Sequence, residues 1–154
     1  MKINRAIYFD MDGTIANFYG VENWLDYLKE GNPFPYEVAK PLHNMNALAR
    51  RLNNLRKAGW KVGVISWLAK NSNSEFDAKV IEAKERWLKK HLASVAFDEI
   101  KIVSYGTPKS TVAEIENAIL FDDEENNLME WEEMGGWAFT PNMITEMLTW
   151  ARGN

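Results

Sequence analysis

Short apolar runs alternate with segments of helical periodicity along this chain, and few folds accommodate that order. Ala6–Asp10, Trp60–Ser66, Ile100–Ser104, Ala118–Phe121 and Trp137–Phe139 read as strands. Between them Leu42, Met45, Leu48, Leu52 and Leu55 recur at three or four residues, with Gly59 as the stop of a helix. Phe76, Val80, Ala83, Trp87 and Leu88 mark a second helix, for which Asn73 or Ser74 is the N-cap. A last helix begins near Pro141-Asn142 and carries Ile144, Met147, Leu148 and Ala151. Apolar strands separated by amphipathic helices predict an α/β protein with a five-stranded, mainly parallel sheet covered on both faces.

One stretch breaks the alternation. From Asn17 to about Pro41 there is a short amphipathic piece (Val21, Trp24, Leu25, Leu28) and then a loop, Gly31-Asn32-Pro33-Phe34-Pro35-Tyr36. Its place directly after the first strand makes residues 17–41 a small cap over the carboxyl ends of the strands. With 154 residues the chain reads as one domain, able to bury roughly two-thirds of its unfolded surface.

The absence of cysteine excludes disulfides, thiolate zinc sites and a cysteine nucleophile. A net charge of −4 gives nucleic acid or an anionic membrane no overall attraction. Met1-Lys2-Ile3-Asn4-Arg5 runs into a short strand rather than an apolar signal core, and no segment has transmembrane length, so the expected location is the cytoplasm. Trp131, Trp137 and Trp150 could build a homodimer contact as readily as a core.

The first strand ends in Asp10-Met11-Asp12-Gly13-Thr14. Residues i and i+2 of a strand project to one side, so Asp10 and Asp12 emerge together where open α/β sheets bind ligands. Two carboxylates this close repel unless a cation or a shared proton separates them. Gly13 lets the backbone turn tightly and approach a ligand. Alone, the motif also fits a solvated Asp-x-Asp-Gly turn. Three further features at strand ends weigh against that: Ser66 after Val62-Gly63-Val64-Ile65, Lys109 in Gly106-Thr107-Pro108-Lys109-Ser110, and Asp122-Asp123 after Ile119-Leu120-Phe121.

This ordered set, spanning residues 6 to about 127, resembles the haloacid dehalogenase-like (HAD) superfamily of phosphohydrolases. The resemblance implies a Rossmann-like three-layer sandwich and a Mg²⁺-dependent phosphomonoester hydrolase working through an aspartyl-phosphate. On that pattern Asp10 is the nucleophile and Asp12 the general acid and then base. Mg²⁺ is held by Asp10, the Asp12 carbonyl and the acidic pair, with Asp123 as direct ligand and Asp122 acting behind it or through water. Gly13, Thr14, Ser66, Trp67 and Lys109 are the expected phosphate-binding residues, although the family often places Pro after this lysine whereas here Pro108 precedes it. Lys70, Lys84 and Lys101 lack its position in a loop after a strand and before the acidic pair, with a helix beginning beside it. His43 and His91 read as surface or helix-packing residues.

The small cap and the Ile65-Ser66-Trp67 segment resemble the 5′(3′)-deoxyribonucleotidase branch, with a weaker likeness to the phosphatase half of polynucleotide kinase-phosphatases. The expected partner is therefore a small phosphorylated substrate, a nucleotide. Phe18, Tyr19, Phe34 and Tyr36 are the candidates to stack its base; Trp24 and Tyr27 suit packing as well as stacking. A polynucleotide 3′-phosphatase would need a basic track, and Arg50-Arg51 and Lys89-Lys90 read instead as solvated helix faces. A catalytically idle nucleotide-binding or interaction protein would ordinarily have lost Asp10 or Asp12.

Overall fold

The computed structural model describes residues 4–154, so the expectation for Met1-Lys2-Ile3 lies outside the described residues. Five strands, β1 (Ala6–Phe9), β2 (Lys61–Trp67), β3 (Glu99–Val103), β4 (Ala118–Phe121) and β5 (Trp137–Phe139), form one sheet in the order β3-β2-β1-β4-β5. Every pairing is parallel.

The alternation of side chains sorts the core. Ile7, Phe9, Val62, Val64, Ile119 and Phe121 face one layer. There they meet Leu48, Leu52 and Leu55 of α3 (Met45–Lys57), Trp87 and Leu88 of α4 (Ser74–His91), and Ile144 and Leu148 of α6 (Ile144–Arg152). Ala6, Tyr8, Ile65, Ala118 and Leu120 face the other layer and meet Trp131 of α5 (Glu125–Glu133). Trp131 is fully buried, packs edge-on to Tyr8 and donates from Nε1 to the Ala118 carbonyl at 3.2 Å. It is a core residue, whereas Trp137 and Trp150 meet edge to face at the surface.

Asn44 and Asn73 are the caps of α3 and α4; their side chains accept from Ala47 N and Phe76 N. Leu42 lies outside α3, exposed, with its N–H bonded to the Ile15 carbonyl. The insertion after β1 is two short helices, α1 (Trp24–Lys29) and α2 (Phe34–Val38). The second replaces the loop expected over residues 31–36: Pro35 falls in its first turn, where proline's fixed φ favours helix and its missing N–H costs nothing. Tyr36 of α2 joins Phe18, Leu68, Phe76, Val80 and Ala83 in a third apolar cluster that seats the cap on α4. No helix among the described residues is long and apolar enough to cross a membrane.

Strand order reverses at β1: the chain moves outward to β2 and β3, then crosses back to β4. The crevice at such a reversal, beyond the carboxyl ends of the strands, is where this class of sheet binds ligands.

Candidate active site

Asp10 leaves β1 at that crevice, and its backbone N–H is still held by the Phe121 carbonyl at 2.9 Å. Both carboxylate oxygens have partners. Oδ1 accepts from Lys109 Nζ at 2.9 Å, and Oδ2 accepts from the Thr14 hydroxyl at 3.0 Å. The tight turn that brings Thr14 back depends on Gly13, whose φ is +82°. A Cβ at Gly13 would lie 2.2 Å from Asp123 Oδ2, so any other residue would strain this left-handed backbone and displace the Asp123 carboxylate. The Gly13 N–H is committed to the Ala16 carbonyl, and the Thr14 carbonyl accepts from His43 Nε2 at 2.7 Å. His43 thus ties the head of α3 to the turn, while His91 packs on Trp87.

Lys109 is buried in a single 3₁₀ turn (Lys109–Val112), not at the start of a longer helix; the backbone is extended again at Ala113. Its ammonium bridges Asp10 and Asp122, reaching Asp122 Oδ2 at 2.7 Å. Burial alone would lower its pKa, but the two carboxylates outweigh it and the net shift is upward. Asp122 is fully buried and its oxygens are also taken by Asn127 Nδ2 (3.1 Å) and the Glu124 N–H (2.9 Å). Asp123, by contrast, is exposed, with Oδ1 3.4 Å from the Thr14 hydroxyl.

Asp10, Asp122 and Asp123 each bring a carboxylate oxygen within 4.8 Å of the others. Three hard oxygen donors converging in this way suit Mg²⁺ rather than a softer metal. The electrostatics agree: desolvation, then the charge of Asp10, pushes the Asp122 carboxyl up to about 6 and that of Asp123 up to about 8. Carboxylates that hold protons for lack of positive charge are what a divalent cation would relieve.

Asp12 is not one of this trio. Its Oδ2 accepts from Lys84 Nζ at 3.0 Å. Burial holds its carboxyl above the usual range, against the opposing pull of Lys84. Lys84 also donates to Ser66 Oγ (2.6 Å) and the Trp67 carbonyl (2.7 Å). Neither Lys84 nor Asn127 stands out as a site residue in the sequence. Both carry the same signal, a polar residue on the apolar stripe of its helix: Lys84 lies between Val80 and Trp87, and Asn127 lies one turn before Trp131.

Above these groups opens a cavity of about 510 Å³ with Asp10, Asp12, Asp122 and Asp123 on its floor. Thr14, Ser66 and Lys109 are buried outside its lining. One wall comes from the cap: Phe18 and Tyr36, stacked at 4.5 Å, with Tyr19 and Trp24. The other comes from the body: Trp67, fixed by its Nε1 bond to the Thr107 carbonyl (2.8 Å), and Tyr105 tilted against it at 5.0 Å. Phe18 and Tyr36 are buried, whereas Tyr19 and Tyr105 stand half exposed. Phe34 is not in the lining; it packs on Tyr27.

No family model and no curated relative matches this chain. Solved structures do. Two are D,D-heptose 1,7-bisphosphate phosphatases: one from Burkholderia thailandensis (TM-score 0.55, 17% identity, 86% of this chain and 75% of that one) and one from B. bronchiseptica complexed with magnesium and phosphate (0.55, 12%, 87% and 78%). A HAD family enzyme of Bacteroides thetaiotaomicron in its magnesium complex aligns over 91% of this chain and 94% of its own, at TM-score 0.52 and 13% identity. The fold is of the HAD type.

Proposed function

We propose that the chain is a Mg²⁺-dependent phosphomonoester hydrolase that works through an aspartyl-phosphate on Asp10, with a nucleotide as substrate. The carrying observation is Asp10 itself: its carboxylate sits on the cavity floor, pinned by Lys109 and Thr14 inside a trio of acidic oxygens. The neighbours of the same fold that hold magnesium, or magnesium and phosphate, support the reading. Asp10, Asp123 and the Asp12 carbonyl would hold the metal, which would offset the repulsion between nucleophile and phosphate.

In the first step an Asp10 oxygen attacks phosphorus and the bond to the leaving oxygen breaks, while Asp12 gives that oxygen a proton. Burial shifts the Asp12 carboxyl upward, the direction that favours giving and retaking a proton. In the second step Asp12 takes a proton from water as it attacks the phosphorus, releasing inorganic phosphate and restoring Asp10. Lys109, already bonded to Asp10, neutralises charge that grows on the phosphoryl group.

Aromatic rings in the cavity lining support a flat, stackable substrate, because stacking on a base contributes roughly 1–3 kcal/mol. Tyr19, Trp24, Trp67 and Tyr105 are the rings available to it; Phe18 and Tyr36 serve the cap cluster. The test is phosphate release, with Mg²⁺, from 5′- and 3′-mononucleotides, 3′-phosphorylated oligonucleotides and sugar phosphates. Hydrolysis of mononucleotides above the others is expected, with Asp10→Asn lowering kcat by more than about 10³-fold and leaving the fold intact. Full activity in Asp10→Asn would rule out the covalent route, and preference for sugar phosphates would rule out the nucleotide.

A further inference from the structure

Lys84 is fully buried, and its ammonium has three protons and no acceptor capacity. All three are spent: on Ser66 Oγ at 2.6 Å, the Trp67 carbonyl at 2.7 Å and Asp12 Oδ2 at 3.0 Å. The first two acceptors are neutral and belong to the end of β2, so they fix the ammonium to the central sheet. The third is the carboxylate that must exchange a proton with the leaving group. The Tyr36 ring, 5.0 Å from Nζ, closes the remaining side. A lysine held by three hydrogen bonds under an aromatic ring has lost the rotational freedom that ordinarily makes it a loose partner.

We propose that Lys84 is a positioning residue for proton transfer: by gripping Asp12 Oδ2 it presents the other oxygen, Oδ1, to the leaving group. This rests on the reading of Asp12 as general acid. Asp12 lines the cavity, and its Oδ1 takes no hydrogen bond from the described residues. Without the grip the carboxylate swings about its side-chain bonds, and only part of its population reaches the leaving oxygen. Lys109 performs a different task, since it touches Asp10 and Asp122 and not Asp12.

The two roles separate by leaving group. A nitrophenolate departs without a proton, whereas an alkoxide needs one. The experiment compares kcat/KM for 4-nitrophenyl phosphate and for an alkyl phosphate in the wild type, Lys84→Met and Lys84→Gln, with Mg²⁺ saturating. The aryl-to-alkyl ratio is expected to rise about 10–100-fold in both variants, less than the 10²–10⁴-fold that a general acid as a whole supplies. Because the ratio is taken within one protein, a reduced folded fraction scales both rates equally and cannot imitate the effect. In an Asp12→Asn background Lys84→Met is expected to leave the ratio where Asp12→Asn alone puts it. An unchanged ratio in both single variants, or an additive rise in the double variant, overturns the assignment of Lys84 while the phosphatase reading stands. A wild type that hydrolyses neither ester overturns both.

Discussion

Asp10 gathers a lysine, a hydroxyl and two further carboxylates around one side chain, and the smallest residue nearby makes that crowding possible. Gly13 stands at φ +82° with Asp123 Oδ2 only 2.2 Å from where a Cβ would be. Gly13→Ala must therefore strain a left-handed backbone and push Asp123 aside. The expected loss is about 1–3 kcal/mol of stability by urea unfolding. Calorimetric titration should also show Mg²⁺ binding weakened about 10–100-fold, the scale on which displaced metal-site neighbours act. Undiminished Mg²⁺ affinity would remove Asp123 from the metal site. Asp10, Asp12, Gly13 and Lys109 are legible in the sequence because each follows a strand end, where the chemistry of this sheet class collects. Lys84 and Asn127 are not, because they reach the site from helices and their burial is known only once Asp12 and Asp122 are seen opposite them.

Elements were legible in proportion to their periodicity. All five strands lie within a residue or two of their expected bounds, since continuous apolar runs leave little alternative in a sheet covered on both faces. Within residues 17–41, α2 reads as a loop in the sequence: five residues are too few for a helical period, and two prolines dominate the local signal. The same shortness made the Lys109 turn look like a helix start. Helix α4 is the element that joins cap, core and site, and its N-cap offers a way to separate stability from chemistry. Asn73→Ala removes the bond to Phe76 N at 2.9 Å and is expected to cost about 1 kcal/mol. Lys84 lies eleven residues further on, about 16 Å at 1.5 Å per residue. The aryl-to-alkyl ratio should therefore stay at its wild-type value while the urea midpoint falls. A change in that ratio would mean that α4 transmits fraying along its length.

For the molecule as a whole, four carboxylates (Asp10, Asp12, Asp122, Asp123) meet two buried ammonium groups (Lys84, Lys109) at one end of the sheet. Two negative charges are left without a partner, which matches one divalent cation. Without it the folded chain compensates with protons, as the carboxyls of Asp122 at about 6 and Asp123 at about 8 record. The ordinary aspartate value is about 3.9, so between roughly pH 4 and pH 8 the folded state binds more protons than the unfolded one. Stability from these groups is then present below about pH 4 and is lost as pH rises toward 8. Mg²⁺ replaces the protons, and its benefit must grow with pH across the same window. In EDTA the melting temperature should decline from pH 5 to pH 8 relative to Asp123→Asn, which lacks the group with the larger shift. With Mg²⁺ at a hundred times its Kd, the gain at pH 8 should approach about 2.7 kcal/mol, or about 5–10 °C for a domain of this size. At pH 5 Mg²⁺ must displace protons to bind, so the gain is smaller. A gain independent of pH would mean that the metal sits away from Asp122 and Asp123, and the charge imbalance at this end of the sheet would need another partner.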